Sequence, residues 1–318
     1  MYVTPRRLRP NDKVAIVAPA SPILSDEVQA GIDILKECGL RPVLGPCVKN
    51  LRSYNDHSAT AEERAAELNW AFSDPGIKGV IGAVGGVGSS AVLPLLDYKA
   101  IRHGRKPFLG MSDLTAIQMA LLNNAGLISI NGQTPSIRLD KGTAVRKADS
   151  ESFQLTIQMM MSDQPWGSKP FCINPYFPRT VSAGNSVGHV IGCNIETLLH
   201  LFGTPYIPQF DGAVLFLEDV HKGGETLIRQ LLQMRLAGVF KSVVGVVFGE
   251  FADVPDKVEP RVPTIEEVVI EFFQGYGVPC AYGYSFSHGP HTSPIPVGAQ
   301  CHFDADTGDV EFNFTMSP

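Results

Sequence analysis

The chain has 318 residues, 44% of them hydrophobic, with 26 Lys and Arg against 32 Asp and Glu and a formal net charge of −6. That length accommodates two domains with sizeable cores, and a mean hydropathy of +0.06 is that of a soluble globular protein. The acidic balance without any basic run argues against a nucleic-acid polymer as partner, and no stretch reaches the ~20 apolar residues of a membrane span. Six cysteines (Cys38, Cys47, Cys172, Cys193, Cys280 and Cys301) lie scattered without metal-like spacing and read as reduced thiols. None of the eight histidines belongs to an H-E-x-x-H or similar set, so neither a metal nor another cofactor is expected. The N-terminus carries no apolar signal segment, which makes the cytoplasm the default compartment.

Lys13 to Pro19 is a continuous apolar run ending in turn residues, the pattern of a buried parallel strand. Ser25 reads as the N-cap of a helix from Asp26 to Cys38, with Val28, Ile32 and Leu35 at helical spacing and Gly39 closing it. A second strand spans Arg41 to Leu44, and Thr60 with Glu63 makes a capping box for a helix reaching Phe72. A third strand, Gly79 to Val84, runs into Gly85-Gly86-Val87-Gly88-Ser89-Ser90, a turn whose backbone N–H groups can approach an anion. Its glycines lack the spacing of a dinucleotide fingerprint.

Lys106 to Gly110 reads as a short buried strand, followed by a tight corner at Ser112 and an apolar-periodic helix from Leu114 to Ala125. Gly110 stands two residues before Ser112, as in strand–serine–helix turns that lift a nucleophilic hydroxyl above a sheet, but Leu114 replaces the second glycine of that pattern. Taken alone, the corner fits a Ser N-cap on an ordinary helix better than it fits a nucleophile. Leu127 to Ile130 is a further strand. The alternation predicts a doubly wound, mostly parallel sheet whose carboxyl ends carry the ligand site. From Asn131 to Gly184 the chain turns Pro-rich and polar around one helical stretch, Phe153 to Met161. The expected division is therefore an N-terminal α/β domain over 1–165, a linker over 166–185 and a smaller C-terminal α/β domain over 186–318.

The second half restarts the alternation. Ser186 to Ile191 is a strand, Gly192-Cys193-Asn194 a corner, and Ile195 to Phe202 a helix. The apolar strand Gly212 to Leu217 runs into Glu218 and Asp219, two carboxylates that are costly to bury unless paired or used. A helix from Glu225 to Ala237, a strand from Ser242 to Phe248 and a helix from Ile265 to Phe273 follow. His288 lies in a Gly/Pro-rich loop, where a histidine is either solvated or a base needing a carboxylate partner such as Glu218. A Gly-containing β-hairpin from Cys301 to Phe312 ends the chain.

Together these segments are similar to the LD-carboxypeptidase family of serine peptidases, which includes the microcin C immunity proteins. The resemblance covers nearly the whole chain. It rests on the Val14-Ala15-Ile16-Val17-Ala18-Pro19 strand, the Gly85-Gly86 turn with Leu93-Pro94-Leu95-Leu96-Asp97, and Gly110-Met111-Ser112-Asp113. In the second half it rests on Gly188, Gly192 and Asn194, on Gly203-Thr204-Pro205, on Leu215-Phe216-Leu217-Glu218-Asp219, and on His288 with Pro296-Val297-Gly298. The resemblance implies a site between two α/β domains. It also implies Ser112 as nucleophile, His288 as general base and then acid, and Glu218 as the carboxylate that orients the imidazole.

An oxyanion is then expected on the backbone N–H groups of Gly86 and Asp113, with the Asp113 side chain bracing the corner. Gly85, Ser89, Ser90 and Asn194 are the expected substrate contacts. Many family members have Arg before the Gly pair and an aromatic residue after it, where this chain has Val84 and Val87. The expected activity is a serine carboxypeptidase acting on a small peptide, first an L,D-linked muropeptide in peptidoglycan recycling. Hydrolysis of a peptidyl-nucleotide antibiotic, giving microcin immunity, is the alternative, and a non-catalytic peptide-binding module a further one. A homodimer stays open.

Overall fold

The computed structural model describes residues 2–50, 55–138, 141–166, 178–254, 262–289 and 291–318. Its first half alternates strands and helices: β1 (Lys13–Val17), α1 (Ser25–Glu37), β2 (Arg41–Leu44), α2 (Pro46–Asn50), α3 (Ala61–Ser73), β3 (Ile77–Gly82), α4 (Tyr98–Gly104), β4 (Phe108–Gly110), α5 (Thr115–Ala120) and β5 (Ser129–Asn131). The five strands are parallel in the order β2-β1-β3-β4-β5. In that order the crossovers change direction between β1 and β3, the switch point where open α/β sheets bind ligands. The Gly85–Ser89 turn leaves β3 at this point, and the Ser112 corner leaves the adjacent β4.

The local reasons are legible in the chain. Thr60 and Glu63 form both halves of the capping box that starts α3. α1 begins one residue earlier than expected, with Leu24 at its N-cap and Ser25 inside the helix. α5 is buried along its whole length and continues as one π-turn, Leu121–Ala125, to Gly126 at φ +65°. The polar 131–184 stretch contains a longer helix than expected, α6 (Thr143–Met161), which packs against α1.

The second half continues with β6 (Arg179–Ser182), β7 (Asn185–Asn194), α7 (Ile195–His200), β8 (Ala213–Glu218), α8 (Gly224–Leu236), β9 (Gly245–Gly249), α9 (Ile265–Phe273), β10 (Cys280–Tyr284), β11 (Ile295–Val297), β12 (Gln300–Asp304) and β13 (Asp309–Asn313). Seven of its strands form a second sheet, β13-β12-β7-β8-β9-β10-β6, parallel from β7 to β10 and antiparallel at both flanks. The remaining strand, β11, crosses over and pairs antiparallel with β5 in the first sheet. The C-terminal half thus contributes to both sheets.

Along β1, Ala15 and Val17 face one core cluster while Val14 and Ile16 face another; along β8, Leu215 and Leu217 join the first cluster, and Val214 and Phe216 the second. Each cluster draws residues from both sheets, so the two halves pack as one body with both sheet faces covered. Among the described residues, no helix is long and apolar enough to cross a membrane. The described cysteines Cys38, Cys47, Cys193, Cys280 and Cys301 are free thiols, and Cys172 lies outside the described residues.

Candidate active site

The chain leaves β4 in extended conformation at Met111 and turns sharply at Ser112, which has φ +62°. A non-glycine residue in the left-handed region is strained and persists only where its surroundings hold it. Here the backbone of the neighbouring turn does so: a Cβ on Gly85 would lie 2.7 Å from Ser112 Cβ and 3.1 Å from its Oγ. Only a glycine at position 85 lets the two strand ends approach this closely. Asp113, at the first turn of the short 3-10 helix Ser112–Leu114, offers a backbone N–H with no intrahelical acceptor.

The glycine turn is itself clamped from several sides. The Ser21 N–H donates to Gly85 O at 3.1 Å, and Ser21 Oγ accepts from Val87 N at 3.2 Å. Gly86 has φ +97°, and any Cβ there would collide with the Ser21 side chain. On the other side, Ser89 N donates to Asp113 Oδ2 at 2.8 Å and Ser89 Oγ to the Asp113 carbonyl at 2.6 Å. Burial pushes the Asp113 carboxyl above its usual range, against the pull of these Ser89 hydrogen bonds.

Within the C-terminal half, His288 Nδ1 sits 2.7 Å from Glu218 Oε2. Glu218 is the last residue of β8 and only 1% exposed. Burial by itself would lower the His288 imidazole, but the Glu218 charge and its hydrogen bond, aided by Asp219 and opposed by Arg138, leave it raised above the ordinary 6.5. With Nδ1 engaged, Nε2 on the opposite side of the ring is the nitrogen available for proton transfer.

Asn194 organises this carboxylate pair. Its register puts it beside Glu218. Its Nδ2 donates to Glu218 Oε1 and to Asp219 Oδ1, both at 3.2 Å, while its Oδ1 accepts from Thr197 N and Thr197 Oγ1 as the cap of α7. Asp219 also accepts from Val220 N and Gln230 Nε2, and burial raises its carboxyl above the usual range. The Asn194 N–H in turn donates to Thr115 Oγ1 at 3.3 Å, three residues beyond Ser112. Direct contacts therefore run from the Ser112 corner through Thr115 and Asn194 to Glu218 and His288, residues far apart in the chain.

Two expected substrate contacts are otherwise engaged. Ser89 is fully buried with its hydroxyl on Asp113, and Asn194 is 5% exposed with both amide atoms committed inside the protein. Both side chains are committed inside the protein, Ser89 to Asp113 and Asn194 to Glu218, Asp219 and Thr197. Gly85 is buried against Ser112, and Ser90 is exposed. Residues not singled out from the sequence also shape the site. Arg138 forms a bidentate pair with Asp149 of α6 and donates to the carbonyls of His288 and Gly289. Ser152 Oγ accepts from Thr292 N on the far side of the same loop. Arg138 and α6 thus brace the His288 loop.

Comparison with known proteins agrees with this architecture. Residues 14–132 match the LD-carboxypeptidase N-terminal domain, and residues 187–303 the LD-carboxypeptidase C-terminal domain. A Streptomyces coelicolor relative, itself named only provisionally as a carboxypeptidase, is 31% identical over 97% of this chain and 95% of its own. The chain belongs to the LD-carboxypeptidase family. Other members include the murein tetrapeptide carboxypeptidase of Pseudomonas aeruginosa, 26% identical over 90% of this chain and 91% of its own. The microcin C7 self-immunity protein MccF of Escherichia coli is likewise 26% identical, over 92% and 90%. Among solved structures, the muramoyltetrapeptide carboxypeptidase of Oxalobacter formigenes superposes with a TM-score of 0.78 at 25% identity, covering 96% of this chain and 99% of its own. MccF bound to aspartyl sulfamoyl adenosine shares the fold with a TM-score of 0.85 at 24% identity, over 99% and 100%.

Proposed function

We propose that the protein is a serine-type carboxypeptidase in which Ser112 attacks, His288 relays the proton and Glu218 orients the imidazole. The observation that carries this reading is the 2.7 Å contact between Glu218 and His288 Nδ1, linked through Asn194 and Thr115 to a serine held at φ +62°. A serine hydroxyl is a weak nucleophile at its own pKa and needs an adjacent base. As Ser112 Oγ bonds to the scissile carbonyl carbon, its proton passes to His288 Nε2, and the carbonyl oxygen gains negative charge. The N–H groups of Gly86 and Asp113 receive that charge. Collapse breaks the C–N bond, the amine leaves with the His288 proton, and water repeats the cycle on the acyl-enzyme.

The substrate class we favour is a muropeptide ending in an L,D-linked D-amino acid, since two family relatives are named for murein or muramoyl tetrapeptides. One observation favours the second substrate, a peptidyl-nucleotide of the microcin type: an apolar residue, Val84, precedes the Gly pair where many family members have Arg, a departure that resembles the microcin-immunity branch. Incubating the enzyme with an L,D-muropeptide tetrapeptide and with a processed microcin decides between them. Ser112→Ala should lower kcat by several orders of magnitude while leaving the melting temperature nearly unchanged, because it removes the attacking atom and keeps the oxyanion donors. Near wild-type turnover in that variant would point to another chemistry, whereas no turnover by wild type and no fluorophosphonate label on its Ser112 would leave a peptide-binding module.

A further inference from the structure

Arg64 is the fourth residue of α3 and only 2% exposed. Its guanidinium meets carbonyls alone: Nη1 donates to Pro19 O at 2.6 Å and to Gly88 O at 2.8 Å, and Nε to Thr60 O at 3.4 Å. Among the described residues it forms no ion pair. A buried cation without a carboxylate partner is expensive, and replacing it by an apolar residue would commonly cost the fold little or nothing. What it joins gives it a different use. Pro19 belongs to the loop after β1, two residues before Ser21, and Gly88 closes the glycine turn after β3. One guanidinium therefore ties the two loops that diverge at the switch point of the sheet.

The opposite ends of the same turn are fixed independently. Ser21 holds Gly85 and Val87, and Asp113 holds Ser89 through its backbone N–H. Gly88, at φ +95°, also rests against the His57 ring so closely that a Cβ would collide with it. The Gly86 N–H belongs to the peptide whose carbonyl, Gly85 O, accepts from Ser21, and its direction depends on that anchor on one side and on the Arg64–Gly88 contact beyond Val87 on the other. An oxyanion donor displaced by a few tenths of an ångström loses much of its worth, because the stabilisation depends on preorganised distance and angle.

We propose that Arg64 is a positioning residue for transition-state stabilisation: it locks the Gly86 N–H toward the Ser112 site by bridging Pro19 and Gly88. The proposal rests on the serine-peptidase reading above. It predicts an effect on the chemical step and not on ground-state binding. Both carbonyls are reached by the single nitrogen Nη1; lysine keeps the charge, but its Nζ ends one atom short of that position and gives up the Nε contact to Thr60 O, and glutamine loses the charge as well.

The test compares wild type with Arg64→Lys, Arg64→Gln and Thr60→Ala, the last removing the α3 cap without touching the turn. Each is assayed for kcat and KM on an L,D-tetrapeptide, for melting temperature, and for the rate of Ser112 labelling by a fluorophosphonate read by mass spectrometry. Expected are a fall in kcat of about tenfold for Arg64→Lys and about a hundredfold for Arg64→Gln, the latter at the lower end of what losing one oxyanion donor costs. KM should stay within about twofold, with labelling slowed in parallel. Thr60→Ala should lower the melting temperature and keep kcat. Arg64→Lys is the deciding variant should Arg64→Gln fail to fold. Wild-type kcat and labelling in folded Arg64→Lys overturn the proposal, as does a loss of activity that only tracks melting temperature. Absence of label on wild-type Ser112 would instead overturn the serine reading beneath it.

Discussion

Ser89 and Asp113 hold each other at two points: the Ser89 N–H donates to Asp113 Oδ2 at 2.8 Å, and the Ser89 hydroxyl donates to the Asp113 carbonyl at 2.6 Å. The pair joins the turn after β3 to the corner after β4, so the two expected oxyanion donors, Gly86 and Asp113, sit on loops bolted to one another. Asp113→Ala removes the acceptor for a buried N–H and should destabilise the fold by about 1–3 kcal/mol. It should also lower kcat more than it raises KM. Ser89→Ala keeps the backbone N–H contact and should have the smaller kinetic effect. Chemical denaturation and steady-state kinetics on both variants check the order.

The raised pKa of His288 has a definite kinetic consequence. A general base must be unprotonated, so kcat/KM should rise with pH through an inflection above the ordinary 6.5 of histidine. Glu218→Gln removes the charge that raises the imidazole and leaves its burial, which lowers it. The acid limb should then move to lower pH while the plateau falls. For stability the sign is the reverse of that of a paired carboxylate. The favourable Glu218–His288⁺ interaction is fully present below the unfolded histidine pKa and is lost as pH rises through the folded value. An acid limb at the same pH in wild type and Glu218→Gln would contradict the pairing.

Asn194 shows what the chain did and did not disclose. The Ser112 corner and the glycine turn are legible because strand, glycine and serine lie within a few residues of each other. From the sequence, Asn194 is expected to offer its amide to the substrate as a neutral donor beside Ser89 and Ser90. Its actual work depends on the partner strand: β7 and β8 pair in a register that sets it beside Glu218, which no local pattern encodes. α6 was read too short for a related reason. Its inward face carries Asp149, Ser152 and Thr156 beside Phe153 and Ile157, so the polar residues that brace the His288 loop mask the helical apolar period. Asn194→Ala should leave two adjacent carboxylates without their shared donor. We expect a loss of about 1–3 kcal/mol and a drop in kcat, with Ser112 still labelled slowly by a fluorophosphonate.

Glu67 gives a stability prediction independent of catalysis. This buried α3 carboxylate accepts from Ala18 N and Cys47 N, both at 2.8 Å, and burial outweighs those hydrogen bonds to push it from 4.5 up to about 6. A raised folded pKa means that the contribution is fully present below the unfolded value and disappears as pH climbs through the folded one. The span corresponds to about 2 kcal/mol at ~1.4 kcal/mol per unit. Glu67→Gln has no such slope. It should therefore look worse against wild type at low pH than at pH above 7, by roughly that amount. Urea melts of both proteins across this window test it; parallel pH profiles would refute the burial argument.

Val84 bears on specificity. It is half-buried and packs against the core cluster on one sheet face, while Val87 beyond the glycine pair is 50% exposed. Neither can pair with a free terminal carboxylate, for which many family members have Arg before the glycines. The donors left on this side of the site are backbone N–H groups of the turn and the exposed Ser90 hydroxyl. A bidentate guanidinium binds a carboxylate more strongly and more selectively than neutral donors. We therefore expect this enzyme to discriminate weakly between a free and an amidated C-terminus, and to tolerate a bulky terminal group. Val84→Arg should raise kcat/KM for the free acid relative to the amide, at some loss of packing where the valine now lies. The measurement is the ratio of kcat/KM for one L,D-tetrapeptide with a free and with an amidated terminus, in wild type and variant. If wild type already rejects the amide and the arginine changes nothing, carboxylate recognition resides elsewhere in the cleft.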